Sequence, residues 1–186
     1  CLVGSEMCIR DRGIGGSWAT RNIAESLFNL DMYGHGANMH FGSQTNPSLW
    51  SGTIIAKGGD GGAGIGGGCW KSLQDMDGDT AAYNINIYGG KINAHGGYNG
   101  AGIGGGQYVP ARDITITGGE ITAHGTHGAA IGGGRWCHGQ NITVTDAKLK
   151  LTTGYSRYIS DEAAAMGYGD RVYLEKVYDI CLLYTS

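Results

Sequence analysis

Residues Asp113 to Thr126 read DITITGGEITAHGT, an alternation of apolar and polar positions broken once by glycine. In an extended strand Ile114 and Ile116 point to one side and Thr115 and Thr117 to the other. Gly118-Gly119 opens backbone angles closed to other residues, and Ile121 and Ala123 then resume the inward side. Asn84–Gly97 (NINIYGGKINAHGG) and Asn141–Gly154 (NITVTDAKLKLTTG) repeat the pattern, with starts 29 and then 28 residues apart. Asn46–Gly59 (NPSLWSGTIIAKGG) aligns without a gap 38 residues before Asn84, and Asn29–Tyr33 with Asn38–Gly42 looks like the oldest copy. Each unit predicts a strand, a glycine turn, a second strand and a glycine-rich corner.

The corner has its own signature. Gly62–Gly68 and Gly100–Gly106 both read GAGIGGG, and Gly128–Gly134 reads GAAIGGG. Gly13–Gly16 (GIGG) is a shorter version and Ala164–Gly169 (AAMGYG) a decayed one. One such unit cannot close a core, but stacked units cover each other's apolar rows. A period near 28 residues predicts a parallel β-helix of about four to five coils, irregular at both ends, with Ile65, Ile103 and Ile131 in one internal column. A hairpin array would show similar strands at closer spacing; a β-sandwich is the structural rival. The run also fits G-x-G-x-x-G loosely, but it opens no helix, lacks the Lys-Ser/Thr of a phosphate loop, and recurs. The spacing from Ile65 to Asn84 is nine residues longer than that from Ile103 to Asp113, so an inserted loop falls within Cys69–Tyr83.

Composition narrows the class. The 37 glycines fall at no fixed three-residue period and there are only two prolines, which excludes collagen. The β-branched stretches argue against simple disorder. A net charge of −3 gives no basic surface for nucleic acid, and no apolar run is long enough to span a membrane. Residues 1–12 (CLVGSEMCIRDR) and 181–186 (CLLYTS) resemble translated sequencing-adapter sequence and are set apart from a single repeat domain over 13–180. Cys69 and Cys137 then remain, in different registers, and two cysteines make no disulfide framework.

The GAGIGGG corners between GG-x-I-x-A strands resemble glycine-rich repeats of bacterial secreted and cell-surface proteins. That resemblance implies a right-handed parallel β-helix of the pectate-lyase type. It also implies an extracellular or cell-surface setting, with other modules on the same parent chain and carbohydrate or host-surface ligands as partners. It carries no catalytic motif.

Candidate chemistry is sparse. Trp70, Tyr108 and Trp136 each lie five residues after a corner isoleucine, and Trp18 four after Ile14. Stacked, they form a column that either faces sugar rings or packs against itself, the latter being the commoner use of aromatics. His95 and His124 occupy equivalent sites with Lys57 one coil earlier and His40 as a further candidate, a turn ladder more than a metal site, since real sites need three or four converging ligands. Asp75, Asp77 and Asp79 alternate as calcium ligands can, though without the glycine and glutamate spacing of a helix–loop–helix calcium site. Calcium is the one ion the pattern suits; no other cofactor is indicated. No carboxylate pair recurs in register, although Asp79 and Asp113 could pair from separate loops. Rows of Thr115, Thr117, Thr143 and Thr145 are interrupted for ice binding by Asn86 and Tyr88. Ser160–Met166 suggests a helical turn or looser corner, and Arg171–Tyr178 a last strand. The expectation is a non-enzymatic structural or adhesive module presenting loops toward glycans. The alternative is a fragment of a polysaccharide-active β-helix enzyme, a lyase or glycoside hydrolase.

Overall fold

The structure, a computed structural model, describes residues 14–15, 37–42, 44–45, 52–69, 81–154, 163–170 and 180–183. Its first strands are β1 (Ile14–Gly15), β2 (Ala37–Phe41), β3 (Thr53–Lys57), β4 (Ile65–Gly66), β5 (Ala82–Ile87), β6 (Lys91–His95) and β7 (Ile103–Gly104). There follow β8 (Ala111–Ile116), β9 (Glu120–Gly125), β10 (Ile131–Gly132), β11 (Gly139–Thr145), β12 (Lys148–Thr153), β13 (Met166–Gly167) and β14 (Ile180–Leu183). They build three sheets: a corner sheet ordered β1-β4-β7-β10-β13, a second ordered β14-β11-β8-β5-β2, and a third ordered β12-β9-β6-β3. Each described pairing is parallel. The chain visits corner, second and third sheet in turn and returns one level along, so the fold is a right-handed parallel β-helix and not a sandwich.

Stacking is in register. Ile14, Ile65, Ile103, Ile131 and Met166 pair in succession along the corner sheet. Ile85, Ile114 and Ile142 form a second inward column, and Ile54, Ile92, Ile121 and Leu149 a third. Ile65, Ile85, Ile103, Ile114, Ile121, Ile131 and Ile142 are fully buried, as their alternating positions predict. Burying an isoleucine side chain is worth roughly 1.5–3 kcal/mol, and repetition of the same column in each coil supplies the core. Leu149 and Leu151, on the last strand of the third sheet, are only half-buried because no described strand lies beyond them.

The corner works because of where its glycines lie. Gly66, Gly104 and Gly132 have φ of 129°, 130° and 140°. A Cβ on Gly66 would lie 2.0 Å from the carbonyl oxygen of Gly104, and one on Gly104 would lie 2.0 Å from that of Gly132. Those same carbonyls accept the N–H of Gly67 at 2.7 Å and of Gly105 at 2.8 Å. The coil-to-coil bond and the missing Cβ are therefore one feature.

Near the start of β2, β5, β8 and β11 the chain bends through a left-handed residue: Asn38, Asn84, Asp113 and Asn141 have φ of 53°, 54°, 56° and 50°. Asn and Asp tolerate this region best among residues with a side chain. Their side chains also bond between coils, Asn84 Nδ2 to Asn38 Oδ1 at 2.6 Å and Asn141 Nδ2 to Asp113 Oδ1 at 2.9 Å.

One register assignment changes. The second half of the Asn46–Gly59 copy does lie under the 84–97 unit, Thr53 pairing with Lys91. Under Asn84, however, lies Asn38–Gly42, since Met39 pairs with Ile85; the residues between the two strands of this coil are more numerous than in later coils, and a gap-free alignment hides that. The strand β14 puts Cys181, Leu182 and Leu183 in register with Thr143, Val144 and Thr145. The helical turn or corner expected over Ser160–Met166 is described only from residue 163, where it leads into the corner strand β13. Arg171–Tyr178 lies outside the described residues.

Replacing Gly104 by Ala forces a Cβ into a backbone oxygen and is expected to cost more than about 3 kcal/mol. Asn141→Ala, which loses an exposed hydrogen bond and strains one residue, should cost about 1–2 kcal/mol. Equilibrium urea denaturation followed by circular dichroism checks both the size and the order of these losses.

Candidate functional site

The corner isoleucine fixes the position of residues on either side of it. Four residues before Ile65, Ile103 and Ile131 stand Gly61, Asn99 and His127; four after Ile103, Ile131 and Met166 stand Gln107, Arg135 and Asp170. The backbone joins these across coils: Gln107 N–H donates to Gly61 O at 2.7 Å, Arg135 N–H to Asn99 O at 2.9 Å, and Asp170 N–H to His127 O at 2.8 Å. Side chains follow the same rule. Arg135 Nη1 donates to Asn99 Oδ1 at 3.1 Å, and His127 Nδ1 lies 2.6 Å from Asp170 Oδ2. Arg135 Nε donates to Asp170 Oδ1 at 2.9 Å, so both carboxylate oxygens of Asp170, which is 2% exposed, are engaged. A buried carboxylate is tolerable only when paired and hydrogen-bonded. Removal of one partner from such a buried pair costs about 3–5 kcal/mol.

Tyr108 and Trp136 follow directly. Both sit at the third residue of tight turns, closed by Val109 N–H to Gly106 O and Cys137 N–H to Gly134 O, each 2.9 Å. Their φ values of 61° and 67° are unusual for bulky residues. That conformation aims each N–H at the next coil, Tyr108 to Arg135 O at 3.1 Å and Trp136 to Asp170 O at 3.0 Å. The rings stack with centroids 4.6 Å apart and planes 14° from parallel, and the Arg135 guanidinium lies 4.1 Å from the Trp136 ring centre. The faces turned to each other are covered and the ring edges point away from the stack. Tyr98, 56% exposed, meets His127 edge-on at 4.5 Å. The corner therefore carries half-buried and exposed aromatics over a buried Asn99–Arg135–Asp170–His127 network.

This corner is where known proteins offer a comparison. Residues 50–69, 85–107 and 114–135 match the family described as Beta helix repeat. Each matched stretch ends at or just past a corner, within four residues of its isoleucine. No curated protein and no solved structure matches the chain.

Of the sequence-predicted residues, Tyr108 and Trp136 are brought together as a stack. Trp70 and Trp18 lie outside the described residues, as do Asp75, Asp77 and Asp79 with the calcium reading built on them. Among the described residues no group of three or more His, Cys, Asp or Glu is arranged to hold a metal ion, and no helix is long and apolar enough to cross a membrane. Asp113 bonds Asn141 in the turn column. Sequence reasoning missed Tyr98, Asn99, His127, Arg135 and Asp170. The signal was present: once Met166 is taken as a corner residue, Asp170 falls at the same offset as Arg135.

The histidine ladder is real but shorter than expected. Lys57, His95, His124 and Thr152 occupy one row of the third sheet. His124 Nδ1 lies 2.8 Å from Thr152 Oγ1, and the His95 and His124 rings are 5.8 Å apart. His40 does not belong to it: it pairs with Asn86 in the second sheet, where its ring stacks 6.2 Å from that of Tyr88.

Burial and the neighbouring His95 hold His124 below the ordinary histidine range, and burial does the same to His138. Protonation is then easier in the unfolded chain, so stability is complete above the ordinary histidine pKa of about 6.5 and falls as pH drops through and below it. Denaturation midpoints measured between pH 8 and pH 5 should decline less in His124→Asn/His138→Asn than in the parent chain.

Burial pushes the Cys137 thiol up to about 12. Because the thiolate is the nucleophile, iodoacetamide at pH 8 should leave Cys137 unlabelled in the folded protein and label it in urea, as read by mass spectrometry.

Proposed function

We infer from the beta helix repeat match over 50–69, 85–107 and 114–135 that the chain is a structural repeat module. We propose that it is a non-enzymatic adhesive module of an extracellular or cell-surface bacterial protein, a rigid solenoid that presents one aromatic corner to glycans. The contrast at that corner carries the proposal. The charged groups of Arg135 and Asp170 bond each other and the neighbouring coil, while Tyr98 stands out at 56% exposure beside the stack of Tyr108 and Trp136. Charge turned inward favours rigidity over acid–base chemistry, and aromatic surface at a rim suits the C–H faces of sugars. Bulky residues in a left-handed turn cost free energy, which fits a position kept for what its ring contacts. Two other carboxylates have partners: Asp113 accepts from Asn141, and Glu120 lies 3.5 Å from Lys91.

Glycan-array binding is expected to weaken about tenfold or more in Tyr98→Ala/Trp136→Ala, in line with the loss of aromatic contacts. Unchanged binding would remove the corner from the proposal. Depolymerisation of an array glycan by the parent chain, abolished in Asp113→Asn, would replace it with the enzymatic alternative.

A further inference from the structure

The outer face of the third sheet carries a charge distribution unlike that of the chain as a whole. Its strands β3, β6, β9 and β12 pair in register, so outward positions form three straight rows. The first row is Thr53, Lys91, Glu120 and Lys148; the second is Ile55, Asn93, Thr122 and Lys150; the third is Lys57, His95, His124 and Thr152. Lys57, Lys91, Lys148 and Lys150 are all exposed. Four lysines thus face one carboxylate, Glu120, on a chain whose net charge is −3. Glu120 stands between Lys91 and Lys148 in its row and lies 3.5 Å from Lys91 Nζ, so it offsets at most one of them.

The rows run along the solenoid axis with the strand spacing of about 4.8 Å. Their cations are lysines, compact point charges, and not the arginine forks that read phosphate bidentately. Among the residues of these rows no aromatic ring other than imidazole occurs, so they lack the stacking platform that single-stranded nucleic acid uses. Ile55, 76% exposed, is the sole large apolar side chain in the three rows, too little for a lipid surface. A straight, flat, basic strip fits an extended chain that repeats negative charge along its length.

We infer that the outer face of the third sheet binds a linear acidic polysaccharide, carboxylated or sulfated, laid along the solenoid axis across Lys57, Lys148, Lys150 and the His95–His124 pair. This extends the glycan-directed proposal to a second surface, away from the Tyr98–Trp136 corner. Acidification strengthens the contact, because His124 gains charge in rows that already carry Lys57, Lys91, Lys148 and Lys150 against Glu120. By linkage the bound polyanion draws a proton onto His124.

The test is fluorescence anisotropy with labelled polygalacturonate and labelled dextran sulfate, and with labelled neutral dextran and duplex DNA as comparators, at low and physiological salt. Binding of one or both acidic glycans, tightening about fivefold or more from pH 7.5 to 5.5 and weakening with salt, is expected. The arm that binds tells carboxylate from sulfate. Lys57→Gln/Lys148→Gln/Lys150→Gln should weaken it about tenfold or more at both pH values. His124→Gln should keep the binding at pH 7.5 and lose the tightening. Far-UV circular dichroism confirms that these surface variants fold. Equal affinity for neutral dextran or for DNA, or acidic-glycan binding untouched by the lysine variant, would overturn the inference. Tyr98→Ala/Trp136→Ala should leave this binding intact; its loss there alone would return the acidic glycan to the aromatic corner.

Discussion

The close approach of backbone to backbone at the glycine corner governs this structure. At Gly66 and Gly104 the next coil's carbonyl stands where a Cβ would be, and that carbonyl receives the following N–H. A side chain there would push the coils apart and break the bond together. With the corner fixed at this distance, isoleucines one unit apart must lie over one another, and the inward columns close without further instruction. Nearest-neighbour contacts of this kind let each coil rest on the last, which is how a chain rich in glycine, normally costly to order, holds a regular fold.

The same constraint places the polar residues. Because each coil repeats the corner at the same height, residues four before and four after it meet the equivalents of the adjoining coil. Gly61 with Gln107, Asn99 with Arg135 and His127 with Asp170 are three fillings of one geometric slot. The first is uncharged, and the last holds a carboxylate. Only a slot satisfied on all sides can bury Asp170, and the ring of Trp136 under Arg135 completes its cover.

Two surfaces then differ in kind. At the corner, charge is drawn inward and aromatic rings mark the rim. On the third sheet the inward side is apolar and the outward side collects lysine and histidine. The third-sheet distribution follows from alternation in a strand, which separates what a column buries from what it shows, and the corner distribution from turn residues that meet between coils.

The alternation of Ile114 to Thr117, the glycine pairs and the recurring corner were enough to set strands, period and buried columns, because local periodicity and stacking obey the same spacing. The column of Tyr108 and Trp136 was legible for the same reason. The partner of Asn84 was not, since a longer connection in the earliest coil put Asn38, and not Asn46, beneath it. Nor was Asp170 legible as Arg135's partner: Met166 had to be seen to fill an isoleucine's place, and only contact between coils made a distant carboxylate the neighbour of an arginine and a histidine. Composition along the chain determined what each coil contains; the superposition of coils decided which side chains meet, because charge pairing acts through space over a few ångströms and sequence order carries no record of that distance.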